Sequence, residues 1–110
     1  MAAITVQSLT TLGLVATFTA AASVDEFIND GHTILYVKNA VAATNAVVIT
    51  SQVSPVPTGL VAINVTVEVS ASGERMSGFF DREAYNDSSG CVQMRPTTHT
   101  GLTYAAISVT

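Results

Sequence analysis

Charge is what this sequence has least of. Four Lys and Arg and eight Asp and Glu amount to 11% of its 110 residues, less than half of the roughly 25% carried by an ordinary soluble domain. The four cations, Lys38, Arg75, Arg82 and Arg95, form no run. Binding to phosphate backbones draws most of its nonspecific strength from clustered cations that displace counterions, so no nucleic-acid partner is expected. A single cysteine, Cys91, rules out an internal disulfide, and a chain that owes nothing to an oxidising compartment is expected to be made in a reducing cytoplasm. No stretch reaches the ~18 to 20 uninterrupted apolar residues of a membrane-spanning helix, and no membrane partner is expected. Residues 2–22 are apolar, and Ala20, Ala21 and Ala22 imitate a cleavage site. The absence of Lys and Arg before them, and the Thr and Gln that interrupt the run, read as folded domain and not as a leader. The chain ends are expected to pair into the sheet or to dock on a neighbour.

Reactive constellations are equally scarce. His32 and His99 are the only histidines, and with Cys91 they make at most a three-ligand set drawn from distant loops, without the paired spacing of a zinc site, so no metal is expected. Cys91 and His99 form a conceivable nucleophile and base, but no orienting acid or oxyanion motif accompanies them, and Cys91 reads as a buried thiol. The carboxylates gather as Asp25, Glu26 and Asp30 and as Asp81, Glu83 and Asp87. Neither group has calcium-loop spacing, and both read as turn and capping residues. No glycine cluster leads from a strand into a helix with a following Lys, so nucleotide binding has no support. The expectation is a chain without catalytic residues, cofactor or metal, and not an enzyme. Asn64-Val65-Thr66 and Asn86-Asp87-Ser88 match the glycosylation triplet, a short pattern that arises often by chance.

What the sequence does have is alternation. Hydrophobic residues make up 48% of the chain, enough for one domain with a real core at this length. Ile63, Val65, Val67 and Val69 alternate with Asn64, Thr66 and Glu68, the period of a half-buried strand. In 33–38, Leu35 and Val37 oppose Ile34 and Tyr36, so both faces are expected to be covered. Asn29, Asp30 and Gly31 before it are a turn signal, as are Ser72 and Gly73. Further strands are expected at 4–7, 14–19, 46–51, 75–80, 91–95 and 102–109, eight in all. Pro55 and Pro57 bar ladder pairing between Gln52 and Gly59. Asp81 is placed to cap one helical turn. The fold class is therefore all-β: a single antiparallel β-sandwich, or small barrel, over 1–110.

A surface filled with Thr, Ser, Ala and Asn suits contact with other proteins, because charge is depleted at interface cores. Residues 1–9 are read as a possible N-terminal arm, with Ile4, Val6 and Leu9 as candidate interface residues; an ordinary first strand of the same domain is the alternative. Phe79, Phe80 and Tyr85 gather apolar area near one turn and serve either as binding anchors or as core.

Several stretches carry a likeness: 27–39 (Phe-Ile-Asn-Asp-Gly-His-Thr-Ile-Leu-Tyr-Val-Lys-Asn), Thr50-Ser51-Gln52, Gly73-Glu74-Arg75 with Gly78, Tyr85-Asn86-Asp87, Gly90, Val92, and Ala105-Ala106-Ile107. On these turn and strand positions, spread over most of the chain, the sequence resembles a family of small proteins encoded among the virion genes of tailed bacteriophages. The resemblance implies a capsid decoration, or cement, protein on the outer surface of the head. Its implied partners are the major capsid protein and copies of itself, as a homotrimer. A head-to-tail connector or tail component is the next reading, and a carbohydrate-binding or adhesive β-sandwich the reading from another class.

Overall fold

Alternating β-branched and polar residues, broken by Asn, Asp and Gly turns, produce a sandwich of two sheets in the computed structural model, which describes residues 2–52 and 64–109. Among these residues the strands are β1 (Ala2–Ala3), β2 (Val6–Ser8), β3 (Thr19–Ala20), β4 (Asp25–Ile28), β5 (Thr33–Asn39), β6 (Asn45–Ile49), β7 (Val65–Val69), β8 (Glu74–Ser77), β9 (Cys91–Pro96) and β10 (Leu102–Ser108). One helical turn, α1 (Arg82–Tyr85), starts at Asp81, whose carboxylate accepts the Glu83 N–H as expected of an N-cap. Pro55, Pro57 and Ile63 lie outside the described residues.

Sheet A runs β1-β4-β9-β6-β7 and sheet B runs β2-β10-β5-β8, with β3 also on β10. All pairs are antiparallel except β1 on β4 and β2 on β10. Inward-facing Leu35, Val37, Val47, Ile49, Val67, Val69, Val92, Met94, Leu102 and Tyr104 meet between the sheets, joined by Phe27 and Phe80. Burying a side chain of the Val, Leu, Ile or Phe size contributes about 1.5–3 kcal/mol. Buried asparagines close the ends of the sandwich. Asn39, the last residue of β5, donates to the carbonyls of Ala43, Val69 and Ser70 and accepts the Val41 N–H. Asn29 donates to Phe80 O and Asn86 Oδ1.

The structure differs from the sequence expectations in four places. The strand expected at 4–7 is two short ones, because the chain pairs with sheet A at Ala2–Ala3, buries Ile4, and crosses to sheet B at Val6–Ser8. The strand expected at 14–19 keeps only Thr19 and Ala20 in the ladder. Further along the same edge β10 is already paired with β2, and the backbone of Thr17 is taken by the Gln7 side chain. The strand expected to run to Phe80 stops at Ser77, since Gly78 turns with φ +148° at a point where a Cβ would lie 3.0 Å from Ile34 Cγ2. Finally β4 was not expected, because Asp and Glu are depleted in strands. Asp25 nevertheless faces inward, fully buried, its Oδ2 accepting the Ala22 N–H at 2.8 Å.

Candidate functional site

Between β2 and β3 the chain leaves the sheet edge for residues 9–18 and returns. The turn at its tip is set by Gly13, whose N–H donates to Thr10 O at 2.9 Å and whose φ of +90° suits glycine. Its base is held on two sides. Leu9 N–H donates to Ser108 O at 2.9 Å. The Gln7 carboxamide donates through Nε2 to Thr17 O at 2.7 Å and accepts the Thr17 N–H through Oε1 at 2.8 Å, so a side chain supplies both bonds that a neighbouring strand would make.

The returning limb rests on the outer face of sheet B. Leu14, Ala16 and Phe18 are half-buried while Val15, Thr17 and Thr19 are exposed, an alternation without a ladder. Phe18 sits edge-on to Tyr36 with ring centroids 5.0 Å apart, and Lys38 Nζ stands 4.3 Å from the Phe18 centroid, a cation-aromatic contact of about 0.5–1 kcal/mol at an exposed site. Tyr36 lies opposite Ala105 in the β5–β10 register, and Ala105 and Ile107 on that outer face are both buried. A hydrogen bond to Glu74 raises the Tyr36 hydroxyl pKa and ties this stack to β8.

The outgoing limb, the tip and the outward side of the returning limb are bare. Leu12 is 98% exposed and Val15 94%, with Leu9 at 48%, and residues 1–24 contain no charged or histidine side chain. Exposed apolar area on an uncharged segment is the kind of surface that contact with another protein covers. Of the residues singled out in the sequence, Leu9 belongs to this surface, Val6 packs half-buried against the core, and Ile4 lies inside this chain's own core. Leu12 and Val15 escaped sequence reasoning because an apolar pair in Ala-rich and Thr-rich text looks the same whether it faces inward or outward. The missing charge over 1–24 was the available signal.

A second region lies at the end of the sandwich where β4 stops and β9 begins. Asn29 and Asn86 clasp one another: Asn29 Nδ2 donates to Asn86 Oδ1 at 2.8 Å and Asn86 Nδ2 donates to Asn29 O at 3.1 Å. The clasp joins the segment after β4 to the segment after α1, and Glu26 lies cross-strand from Gln93, whose amide donates to Asp87 at 3.0 Å. Asp30 accepts from His32 N–H, Thr33 Oγ1 and Ser108 Oγ, which lowers its pKa below the usual 3.8. Asp87 is lowered likewise by the Gln93 amide and the N–H groups of Cys91 and Ser89. Among the described residues no three of His, Cys, Asp and Glu are arranged to hold a metal ion.

Cys91 opens β9 and His99 follows its far end, so the strand Cys91–Pro96 separates them. The Cys91 thiol is buried, and burial together with the Glu26 carboxylate pushes its pKa up to about 11. The three aromatics near Gly78 part company. Phe80 packs in the core between Phe27 and Tyr85, at 5.9 and 6.2 Å, whereas Phe79 is exposed beside His32 at 5.5 Å. Comparison with protein families, with curated proteins and with solved structures finds no match to this chain.

Proposed function

We propose that the chain is a structural virion protein, a capsid decoration protein that binds the outer surface of a phage head and stabilises it without catalysis. The observation that carries this reading is the protruding pair Leu12 and Val15, exposed at the tip of an excursion whose base is hydrogen-bonded in place. A pinned apolar tip loses little freedom on docking, which lowers the entropic cost of binding. Its uncharged surroundings match the core of a protein interface. The phage-like text of 27–39 and the other quoted stretches supports the choice of partner, the major capsid protein, with self-association into a homotrimer.

On a capsid, one such tip per chain is repeated by symmetry, so contacts that are weak singly add through multivalency. Binding the assembled lattice and not the free subunit stabilises the lattice by mass action.

The test is the amount of this chain relative to the major capsid protein in purified particles. Decoration requires hundreds of copies. A count of about six or twelve, as ring symmetry gives, replaces the reading with a connector or tail role, and absence from particles ends both.

A further inference from the structure

A sheet edge opens where the N-terminal chain abandons β4. Strand β1 pairs with β4 over Ala2–Asp25 and Ala3–Glu26, and its last bond runs from Ile4 N–H to Glu26 O at 2.7 Å. Backbone groups alternate sides along a strand, so the bond from Asn29 N–H to Gly90 O puts Asp25, Phe27 and Asn29 on the β9 side. Glu26 and Ile28 then face the β1 side. Because β1 ends opposite Glu26, the N–H and C=O of Ile28 point to an edge beside which no described strand lies. The Ile28 side chain is 67% exposed. Along this edge runs an open groove of about 350 Å³ lined by Ala3, Ile4 and Val6 on one side and Glu26, Phe27 and Ile28 on the other.

We propose that this edge takes up an extended, alternating apolar and basic segment of a partner protein, added as a strand beside Ile28 with a cation against Glu26. Main-chain bonds to Ile28 supply the pairing, alternate apolar residues fill the groove, and the residues between them reach the outer face, where Glu26 stands with Asp87 nearby. Glu26, cross-strand from the Gln93 whose amide donates to Asp87, selects the charge. A second copy of this chain does not fit, since two β4 edges paired antiparallel about Ile28 set Glu26 opposite Asp30, and like charges directly opposite are destabilising. Nor does the chain offer a basic strand of its own. Lys38 and Arg95 lie in strands flanked on both sides and Arg82 in α1, while Arg75 lies in the edge strand β8 beside Glu74, a strand with one cation and one acid and not an alternating apolar and basic one; the sequence has no other Lys or Arg.

The inference is independent of the virion reading, and absence from particles leaves it intact. The probe is a blocked six-residue peptide of alternating valine and lysine, titrated into the full isotope-labelled chain and followed by amide chemical shifts and hydrogen exchange. The expected result is shifts centred on Glu26–Ile28 and slowed exchange of the Ile28 amide, with a valine-glutamate peptide binding at least about threefold more weakly, the scale of an exposed ion pair. Ile28→Pro removes the outward N–H and leaves the β9-facing groups of Phe27 and Asn29 in place, so it abolishes the response. Glu26→Lys, which leaves the backbone alone, reverses the preference between the two peptides. Equal binding of both peptides, binding of neither at millimolar concentration, shifts centred elsewhere, or an Ile28 amide already protected by self-association in the free chain overturns the proposal.

Discussion

The Gln7 side chain takes the place of a strand for Thr17, meeting its carbonyl at 2.7 Å and its N–H at 2.8 Å. Without that double bond the limb from Leu14 to Phe18 has no ladder partner, and the apolar tip is not presented in one orientation. Gln7→Ala is therefore predicted to lower stability by only about 1 kcal/mol, as expected for exposed hydrogen bonds. It is also predicted to speed exchange of the Thr17 amide by at least about tenfold. Denaturant titration and hydrogen exchange check the two parts separately.

Leu12 and Val15 contribute almost nothing to the isolated fold. The double variant Leu12→Ser with Val15→Ser is predicted to unfold within about 0.5 kcal/mol of the parent, as surface changes do. Its binding to capsids is predicted to fall at least tenfold, the loss expected when an interface anchor is truncated. Co-sedimentation with phage heads alongside a urea titration measures both.

How much of this was legible in the sequence follows from which signals are local. Alternation in Val65–Val69 and Thr33–Asn39, the Asn29-Asp30-Gly31 turn and the Asp81 cap depend on neighbours a few residues away, and they read correctly. Strand β4 did not, because the inward turn of Asp25 depends on the distant fold around it and not on its own propensity. The edge of β10 is shared by β2 and β3 through pairings 100 and 83 to 85 residues apart in sequence, so nothing local shows that residues 9–18 are left outside. The Asn29–Asn86 clasp, between residues 57 apart in sequence, is invisible for the same reason.

Cys91 supplies a chemical check on the burial of β9. With its thiol raised from the ordinary value of 9.0 to about 11, the thiolate fraction near pH 8 falls by about a hundredfold. Alkylation of the native chain is predicted to be slower than that of the unfolded chain by at least this factor. The buried neutral thiol also contributes stability that is fully present below about pH 9, where the unfolded thiol begins to ionise, and is lost as pH rises toward about 11. Rates of iodoacetamide labelling with and without denaturant decide the point.

At the acid end the sign is opposite. The Asp30 carboxylate is held below 3.8 chiefly by the His32 N–H and next by the Thr33 hydroxyl. Its contribution is present above the unfolded value and disappears as pH falls through the lower folded value. Asp30→Asn is predicted to flatten the dependence of stability on pH below about 4 while leaving the slope near neutrality unchanged, as followed by denaturation at a series of pH values.

Tyr104 is the exception inside the core. Among the described residues its buried hydroxyl has no hydrogen-bond partner, and one oxygen of the buried Asp25 carboxylate has none either. Removing an unsatisfied buried hydroxyl relieves a desolvation cost, so Tyr104→Phe is predicted to leave stability unchanged or raise it by up to about 1 kcal/mol. Leu35→Ala in the same core is predicted to cost about 2–5 kcal/mol. Thermal unfolding of the two variants distinguishes them.

Coverage of residues 9–18 by a capsid, as proposed, is open to hydrogen exchange of the chain with and without purified heads that lack it. Amides from Leu9 to Phe18 are expected to gain protection on the heads while those of β5 and β6 do not change. A chain that binds the heads with residues 9–18 exchanging as fast as in free solution contradicts that coverage.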